Sequence, residues 1–366
     1  EEQRSRKGAR ERRGSPWGCH GAPRGPPAPA PRLAPINLIM SSFCEKNRKE
    51  VRKIEFKKLE EIPSKNPNLP VKVTTMGNVI EVQYMSRRNN KQTVQMLPGG
   101  EQFVICSTGE VKDIEHHKTR KDNKKGLYKT FANARGVINA NVTDVSKVRW
   151  CTLTYAENMT DTKRLYSDFV KFNKRFQYYC ASKGYSKPEY IVMMEPQGRG
   201  AWHAHLLYIW QDMKAPFIPN EEFRDLWGHG FVRIKKLDNV DNVGAYLTAY
   251  LGDMELSEVN AEEFEKVTRG ATIKQVEVEE EDGTKVTKAV LKGARLNLYP
   301  ADFKMLRCSK GVKRPVEEMM YQDEVEKKVL GATKTFTSAV QLNDTENDFN
   351  CVIIKEQYNK VRGKNQ

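Results

Sequence analysis

The sequence lacks the short cysteine spacings on which a zinc ribbon or a redox motif depends. Its seven cysteines are an odd number scattered from Cys19 to Cys351, and none forms a Cys-x-x-Cys pair, so neither a disulfide framework nor a structural zinc site is expected. No apolar run approaches the roughly 18 residues of a membrane-spanning helix, and the N-terminal segment has no apolar signal region. These absences predict a cytoplasmic protein with reduced thiols and no membrane partner.

Acidic residues are in the minority. The chain has 62 Lys and Arg against 47 Asp and Glu, which gives a formal net charge of +15. A balance this basic favours a polyanionic partner, and nucleic acid is the first candidate. Most of the excess lies before residue 131, where we expect many of the phosphate contacts.

Composition divides the chain into four segments. The first segment holds 7 of the 17 prolines and eight basic residues, a composition that predicts a disordered extension. It is followed by a basic, strand-rich region with an N-terminal helix, by a domain that alternates strands and helices, and by a polar C-terminal tail. The segments are 1–39, 40–135, 136–330 with a core at about 148–253, and 331–366.

Local patterns give more detail in the second segment. The charged pattern of Met40–Glu61 predicts a short helix. The β-branched and aromatic runs 71–75, 79–85, 92–97 and 103–106, separated by Gly and Asn pairs, predict strands joined by turns. The basic stretch from Lys112 to Arg135 is expected to be a solvated loop.

The core of the third segment shows the clearest periodicity. Apolar residues alternate at strand spacing over 148–155, 190–194, 201–210 and 231–237, and at helical spacing between them. Helices are expected to begin after Asp161, Asn220 and Asp241, each of which can cap a helix. Tight turns favour antiparallel pairing. The predicted fold class is therefore α+β, an RRM-like or ferredoxin-like antiparallel sheet with helices on one face.

A candidate metal site lies on two of these strands. His203 and His205 are two residues apart, so both imidazoles point to one face, about 6.6 Å apart along the backbone. Glu195 ends the preceding strand, and an antiparallel hairpin would bring its carboxylate beside them. A Glu/His/His set offers mixed nitrogen and oxygen ligands to Mn²⁺ or Mg²⁺. A partly buried histidine pair and a surface ion-pair role for Glu195 are the alternatives.

Two tyrosines follow at helical spacing. Tyr246 and Tyr250 are four residues apart and share one face of the predicted helix. An aromatic stripe in the core would show the same spacing. A tyrosine hydroxyl can also attack a phosphate that a metal polarises.

Three segments together resemble the motifs of the HUH endonucleases. Trp150–Tyr155 resembles their first motif, Glu195 with Gly200–His205 the second, and Val243–Tyr250 the third, in the order of the family. The chain is most similar to the rolling-circle replication initiators (Rep proteins) of small phages and plasmids. Lys292–Arg295 also resembles a segment of such proteins.

The resemblance implies an enzyme that initiates rolling-circle DNA replication. It would nick single-stranded DNA at an origin, form a 5′-phosphotyrosine bond, release a 3′-OH that primes synthesis, and later rejoin strands. Glu195, His203 and His205 would hold Mn or Mg, and Tyr246 matches the nucleophile, with Tyr250 as a second tyrosine. The sequence contains no GxxxxGK[ST] phosphate loop, so a helicase and a polymerase of the host are expected partners.

One departure leaves alternatives open. Many relatives carry a lysine immediately before the second tyrosine, whereas this chain has Ala249, and Lys235 and Lys236 are the nearest cations in the preceding strand. The departure supports a non-catalytic nucleic-acid-binding protein on the same fold. An HUH transposase or relaxase is a further alternative, although the relaxase tyrosine normally precedes the histidine pair.

Aromatic residues near the motifs could serve such binding. Most of them are expected in the core, and one or two are expected to stack on bases. They are Trp202, Tyr208, Trp210, Trp227 and Phe231.

Overall fold

The described part of the chain falls within one unit, Lys53–Gln366. The computed structural model describes residues 54–88, 92–116, 119–197, 200–237, 242–248, 254–255, 273–279, 285–291, 294–344 and 349–362. The extension expected to be disordered, residues 1–39, lies outside them. Among the helices in these ranges, none has the length and apolarity that crossing a membrane requires.

Strands dominate both ends of the described chain, and most of the helices lie between them. The strands are β1 (Ile54–Leu59), β2 (Val71–Met76), β3 (Val79–Met85), β4 (Val94–Met96), β5 (Gln102–Ile105), β6 (Val111–Asp113), β7 (Val148–Thr154), β8 (Glu189–Pro196), β9 (Trp202–Ile209), β10 (Val232–Lys235), β11 (Met254–Glu255), β12 (Ile273–Glu279), β13 (Lys285–Leu291), β14 (Leu306–Cys308), β15 (Val316–Met320), β16 (Thr333–Asp344) and β17 (Phe349–Asn359). The α-helices are α1 (Lys124–Asn141), α2 (Thr162–Ser182), α3 (Asn220–Trp227), α4 (Val243–Thr248) and α5 (Gln322–Val329).

The central element is a five-stranded antiparallel sheet in the order β10-β7-β9-β8-β14. Counted along the chain from β7, its first four neighbours are the fourth, first, third and second strands, the order of an RRM-like sheet. The α+β prediction is therefore confirmed. The turn between β8 and β9 closes an antiparallel hairpin, as expected.

Alternation along β9 separates two apolar layers. Leu206 and Tyr208 face one core together with Phe172 of α2, whereas Leu207 and Ile209 face a second core. The second core contains residues of α1 and α4, namely Val137, Ile138, Val142, Val243 and Leu247. Helices therefore cover both faces, and the expectation of helices on one face was wrong. The error arose because α1 begins within the lysine-rich stretch, for which the charge pattern predicts a loop.

A six-stranded sheet joins distant parts of the chain in the order β1-β16-β17-β3-β2-β15. The expected helix at 40–61 is wrong where the structure describes it, because β1 pairs antiparallel with β16. The expected polar tail after residue 330 instead contains β16 and β17, whose strands of 12 and 11 residues are long. The partners of these strands are far away in sequence, so local patterning could not reveal them.

The predicted helix starts agree with the structure in part. Asp161 caps α2 as predicted, since its carboxylate accepts the backbone N–H groups of Lys163 and Arg164. Asn220 is the first residue of α3 rather than its cap, and Pro219 holds the cap position. Asp241 lies outside the described residues, and the side chain of Asn242 instead accepts the backbone N–H of Ala245 at the start of α4.

Candidate metal centre

The β8–β9 hairpin brings the three predicted ligands together. In its register Glu195 pairs with His203 and Met193 pairs with His205. Directly paired residues of an antiparallel sheet point to the same face. The ligand atoms of Glu195, His203 and His205 all lie within 4.8 Å of one another.

One carboxylate oxygen lies between the two imidazoles. Oε2 of Glu195 is 3.3 Å from Nε2 of His203 and 3.3 Å from Nε2 of His205. The ring centroids of the two histidines are 4.6 Å apart. Exposure rises across the site, because the side chains of Glu195, His203 and His205 are 3%, 9% and 27% exposed. The site therefore opens to solvent at His205.

Burial sets the charge of these groups. Burial by itself raises the pKa of Glu195, but the hydrogen bonds from His203 and His205 and the nearby guanidinium of Arg295 hold that pKa well below its usual range. Burial lowers the pKa of His203 to about 4, with His205 adding to the effect, although Glu195 opposes it. At neutral pH the pair is therefore an ionised carboxylate beside a neutral imidazole, the protonation states that metal ligands need.

Two neighbours hold the ligands and were not identified from the sequence. Arg295, in the 3-10 helix Ala294–Leu298, places Nη1 at 3.4 Å from Oε1 of Glu195, the oxygen turned away from the histidines. Oγ1 of Thr152 is 3.4 Å from Nδ1 of His205, a contact that can fix the imidazole with Nε2 toward the carboxylate. The period-2 pattern of β7 could have suggested Thr152, whereas Arg295 lies 100 residues after Glu195 and no local signal links them.

The wall behind Glu195 is aromatic. The Tyr299 ring packs edge-on against Trp202, with centroids 5.6 Å apart. Its hydroxyl is buried and has no hydrogen-bond partner among the described residues. Burial, together with the Glu195 carboxylate, raises the pKa of Tyr299 well above its usual value, so this phenol stays protonated.

The residues present fit a divalent cation. Donors around one Mn²⁺ at roughly 2.1 Å lie about 3 to 4 Å apart, and small side-chain shifts from the present arrangement reach that spacing. Two imidazole nitrogens beside one carboxylate oxygen suit Mn²⁺ better than Mg²⁺, which prefers oxygen ligands. Three protein ligands leave coordination positions open for substrate oxygens.

Helix α4, which carries the predicted nucleophile, packs closely against α1. A Cβ added to Gly244 would collide with the backbone carbonyl oxygen of Arg135 and with the side chain of Asn139. The Asn139 side chain accepts the backbone N–H of Gly244 at 2.7 Å and donates to Asn242 at 2.8 Å. A glycine is therefore needed to seat α4 at this distance.

The structure places the predicted tyrosines only in part. The backbone of Tyr246 lies in α4, and Val243 and Leu247 of that helix pack into the apolar layer on the histidine face of the sheet. Tyr250 and Ala249 lie outside the described residues. The roles of Tyr246 and Tyr250 remain predictions.

Comparison with known proteins places the site inside one matched segment. Residues 148–255, which are 108 of the 366 residues, match the family model of the replication-associated protein ORF2, also described as the gene 2 protein. The match spans β7 to β11 and includes all three motifs found in the sequence. No curated protein matches the chain significantly. The family match supports a replication initiator family, and with it a role in DNA replication and an interaction with nucleic acid.

Proposed function

We propose that the protein initiates rolling-circle DNA replication by nicking one strand of DNA with Tyr246 and remaining attached to the 5′ end. The gathering of Glu195, His203 and His205 at one site, on the sheet face against which α4 packs, carries the proposal. A protein that only bound DNA would have no physical need for this donor set. The replication-associated family match over the same segment adds support.

The described residues have distinct roles in this proposal. A divalent cation bound by the three ligands would act as a Lewis acid on the scissile phosphate. Arg295 holds the Oε1 side of the Glu195 carboxylate, so Oε2 stays between the histidines. Thr152 holds the ring of His205. Together they keep the ligands oriented before substrate arrives, which lowers the cost of organising the site.

The chemical step is a transesterification. The Tyr246 oxygen forms a bond to phosphorus, and the bond from phosphorus to the 3′ oxygen of the preceding nucleotide breaks. The phenol loses its proton, and the departing 3′ oxygen gains one, so atoms and charge balance. Rejoining is the reverse attack by a 3′-OH on the phosphotyrosine.

The test uses the full chain, Mn²⁺ and labelled single-stranded oligonucleotides tiled across the DNA that surrounds its gene. A denaturing gel should show a shortened oligonucleotide and a covalent protein–DNA band. Tyr246→Phe should abolish both, because it removes the attacking oxygen while keeping the ring. Tyr178→Phe is a matched control, since Tyr178 is 77% exposed on α2, which packs on the opposite face of the sheet.

Further variants separate the alternatives. Tyr250→Phe should leave the first nick intact and impair only the rejoining step if the two tyrosines alternate. Binding without any adduct across the whole oligonucleotide set would overturn the nicking proposal. The non-catalytic binding protein suggested by Ala249 would then be the better description.

A further inference from the structure

We propose that the edge strand β10, with Phe231 just before it, is a track that guides single-stranded DNA into the metal centre. Arg233 and Lys235 would contact successive phosphates, and a base would stack on Phe231. The inference rests on the proposed function for its substrate and adds the path by which that substrate reaches the site.

The sheet register places the two cations on the correct face. Val232 and Ile234 pack into the core that α2 covers, so the alternating Arg233 and Lys235 emerge on the opposite face, the face of His203 and His205. Arg233 pairs with Thr152, which pairs with His205. Arg233 and His205 therefore lie in one row, two strand spacings or about 10 Å apart at the backbone, within the combined reach of their side chains.

The exposure of the ligands gives the direction of approach. His205 is the most exposed of the three, and Glu195 is closed off on its far side by Arg295. The open side of the site thus faces β7 and β10. Trp150, paired with Lys235 in the next row, lies 6.3 Å from the His205 ring, measured between ring centroids, and extends an aromatic surface in the same direction.

Phe231 is the exposed aromatic side chain of the set predicted for base stacking. Trp202, Tyr208, Trp210 and Trp227 are all buried, whereas Phe231 is 71% exposed. Its position is fixed, because its carbonyl accepts the backbone N–H of Thr154 at 2.9 Å. The preceding Gly230, with φ of +149°, lies so close to the Thr154–Ala156 backbone that an added Cβ would collide with it.

These features suit a single strand better than a duplex. Base stacking on an aromatic ring requires unpaired bases, and cations beside aromatics are the recurring pattern of single-strand sites. Arg233 and Lys235 are about 6.6 Å apart along the strand, a spacing comparable to the phosphate repeat of an extended single strand.

The first test measures binding without chemistry. A fluorescein-labelled single-stranded oligonucleotide is titrated with the full chain in EDTA at several salt concentrations, and anisotropy is recorded. Because each phosphate contact contributes about 0.7 to the slope of log K against log salt for single strands, Arg233→Ala with Lys235→Ala should lower the slope by about 1.4. The matched control is Lys171→Ala with Lys174→Ala, two exposed cations on α2 across the sheet.

The stacking contact is tested separately. Phe231→Ala should weaken binding about fivefold or more, whereas Tyr178→Ala, which also removes an exposed aromatic side chain, should have no effect. A second measurement needs no substitution: an oligonucleotide with 5-iodouracil, irradiated with the wild-type chain, should crosslink to the peptide that contains Phe231.

The outcomes distinguish this proposal from the proposed function. Wild-type affinity and slope in the Arg233/Lys235 variant, a crosslink elsewhere, tighter binding to a duplex of the same sequence, or no binding in EDTA would each overturn the track. Binding that depends on β10 without any Tyr246 adduct in Mn²⁺ would support the track and overturn the nicking proposal alone.

Discussion

Two buried glutamates, one in each large sheet, have nearly the same burial and very different partners. Glu195 is 2% exposed and Glu356 is 6% exposed. Glu195 faces two imidazoles at 3.3 Å. Glu356 accepts hydrogen bonds from Lys65 at 2.6 Å and Lys334 at 2.9 Å.

The difference lies in what the partners can do when a cation arrives. An ammonium group has no lone pair and repels a metal ion, so the carboxylate of Glu356 is already neutralised and serves stability. A neutral imidazole has a lone pair and can share a metal with the carboxylate. Burial of a carboxylate therefore does not by itself indicate a site. The comparison shows that the chemistry of the partners decides.

The largest effect is expected for metal binding. Glu195→Gln keeps the volume of the side chain but removes the anionic ligand, so the affinity for Mn²⁺ should fall roughly 100-fold or more. Glu356→Gln should leave that affinity unchanged. Isothermal titration calorimetry of both variants with MnCl₂ measures the difference, and equal affinities would break the comparison.

Stability should respond in the opposite way. Glu356→Gln leaves Lys65 and Lys334 without their shared anion, so the free energy of unfolding should fall by about 2 kcal/mol. Both lysines can turn partly toward water, which limits the loss. Urea unfolding without metal measures it, and an unchanged midpoint would mean that the ion pairs contribute nothing.

Acid provides a control for that interpretation. Burial raises the pKa of Glu356, but the hydrogen bonds from Lys65 and Lys334 outweigh it, so the pKa lies below its usual value of 4.5. A lowered carboxylate pKa contributes stability that is complete above the unfolded-state pKa and is lost as pH falls through the folded-state pKa. The gap in stability between wild type and Glu356→Gln should therefore be widest near neutral pH and narrow below about pH 4.5.

The smallest effect concerns a contact to a ligand. Thr152→Val removes the hydroxyl beside Nδ1 of His205, so the affinity for Mn²⁺ should fall by about tenfold, the low end for such supporting contacts. Thr333→Val, in the other sheet, removes a hydroxyl that donates to the Arg362 carbonyl at 2.8 Å and serves as the control. Equal affinities for the two variants would show that Thr152 does not orient the ring.

The sequence was most informative where contacts are local. The β8–β9 hairpin, the Asp161 cap and the face shared by the two histidines follow from period-2 alternation and short-range hydrogen bonds, so they could be predicted. The pairing of β1 with β16 joins residues that are about 290 positions apart, and only tertiary contact defines it. Arg295 was missed for the same reason, although the segment that contains it resembles one in Rep proteins.

The six-stranded sheet also has a consequence for the order of synthesis. The side chain of Asn242, which helps to start α4, donates to Gln357 of β17 at 3.3 Å. Gln357 leaves the ribosome 115 residues after Asn242, so this support for the helix of Tyr246 is completed only after β17 has been made. A nascent chain that already carries the three metal ligands would still lack this support, which delays a fully braced site until synthesis is nearly finished.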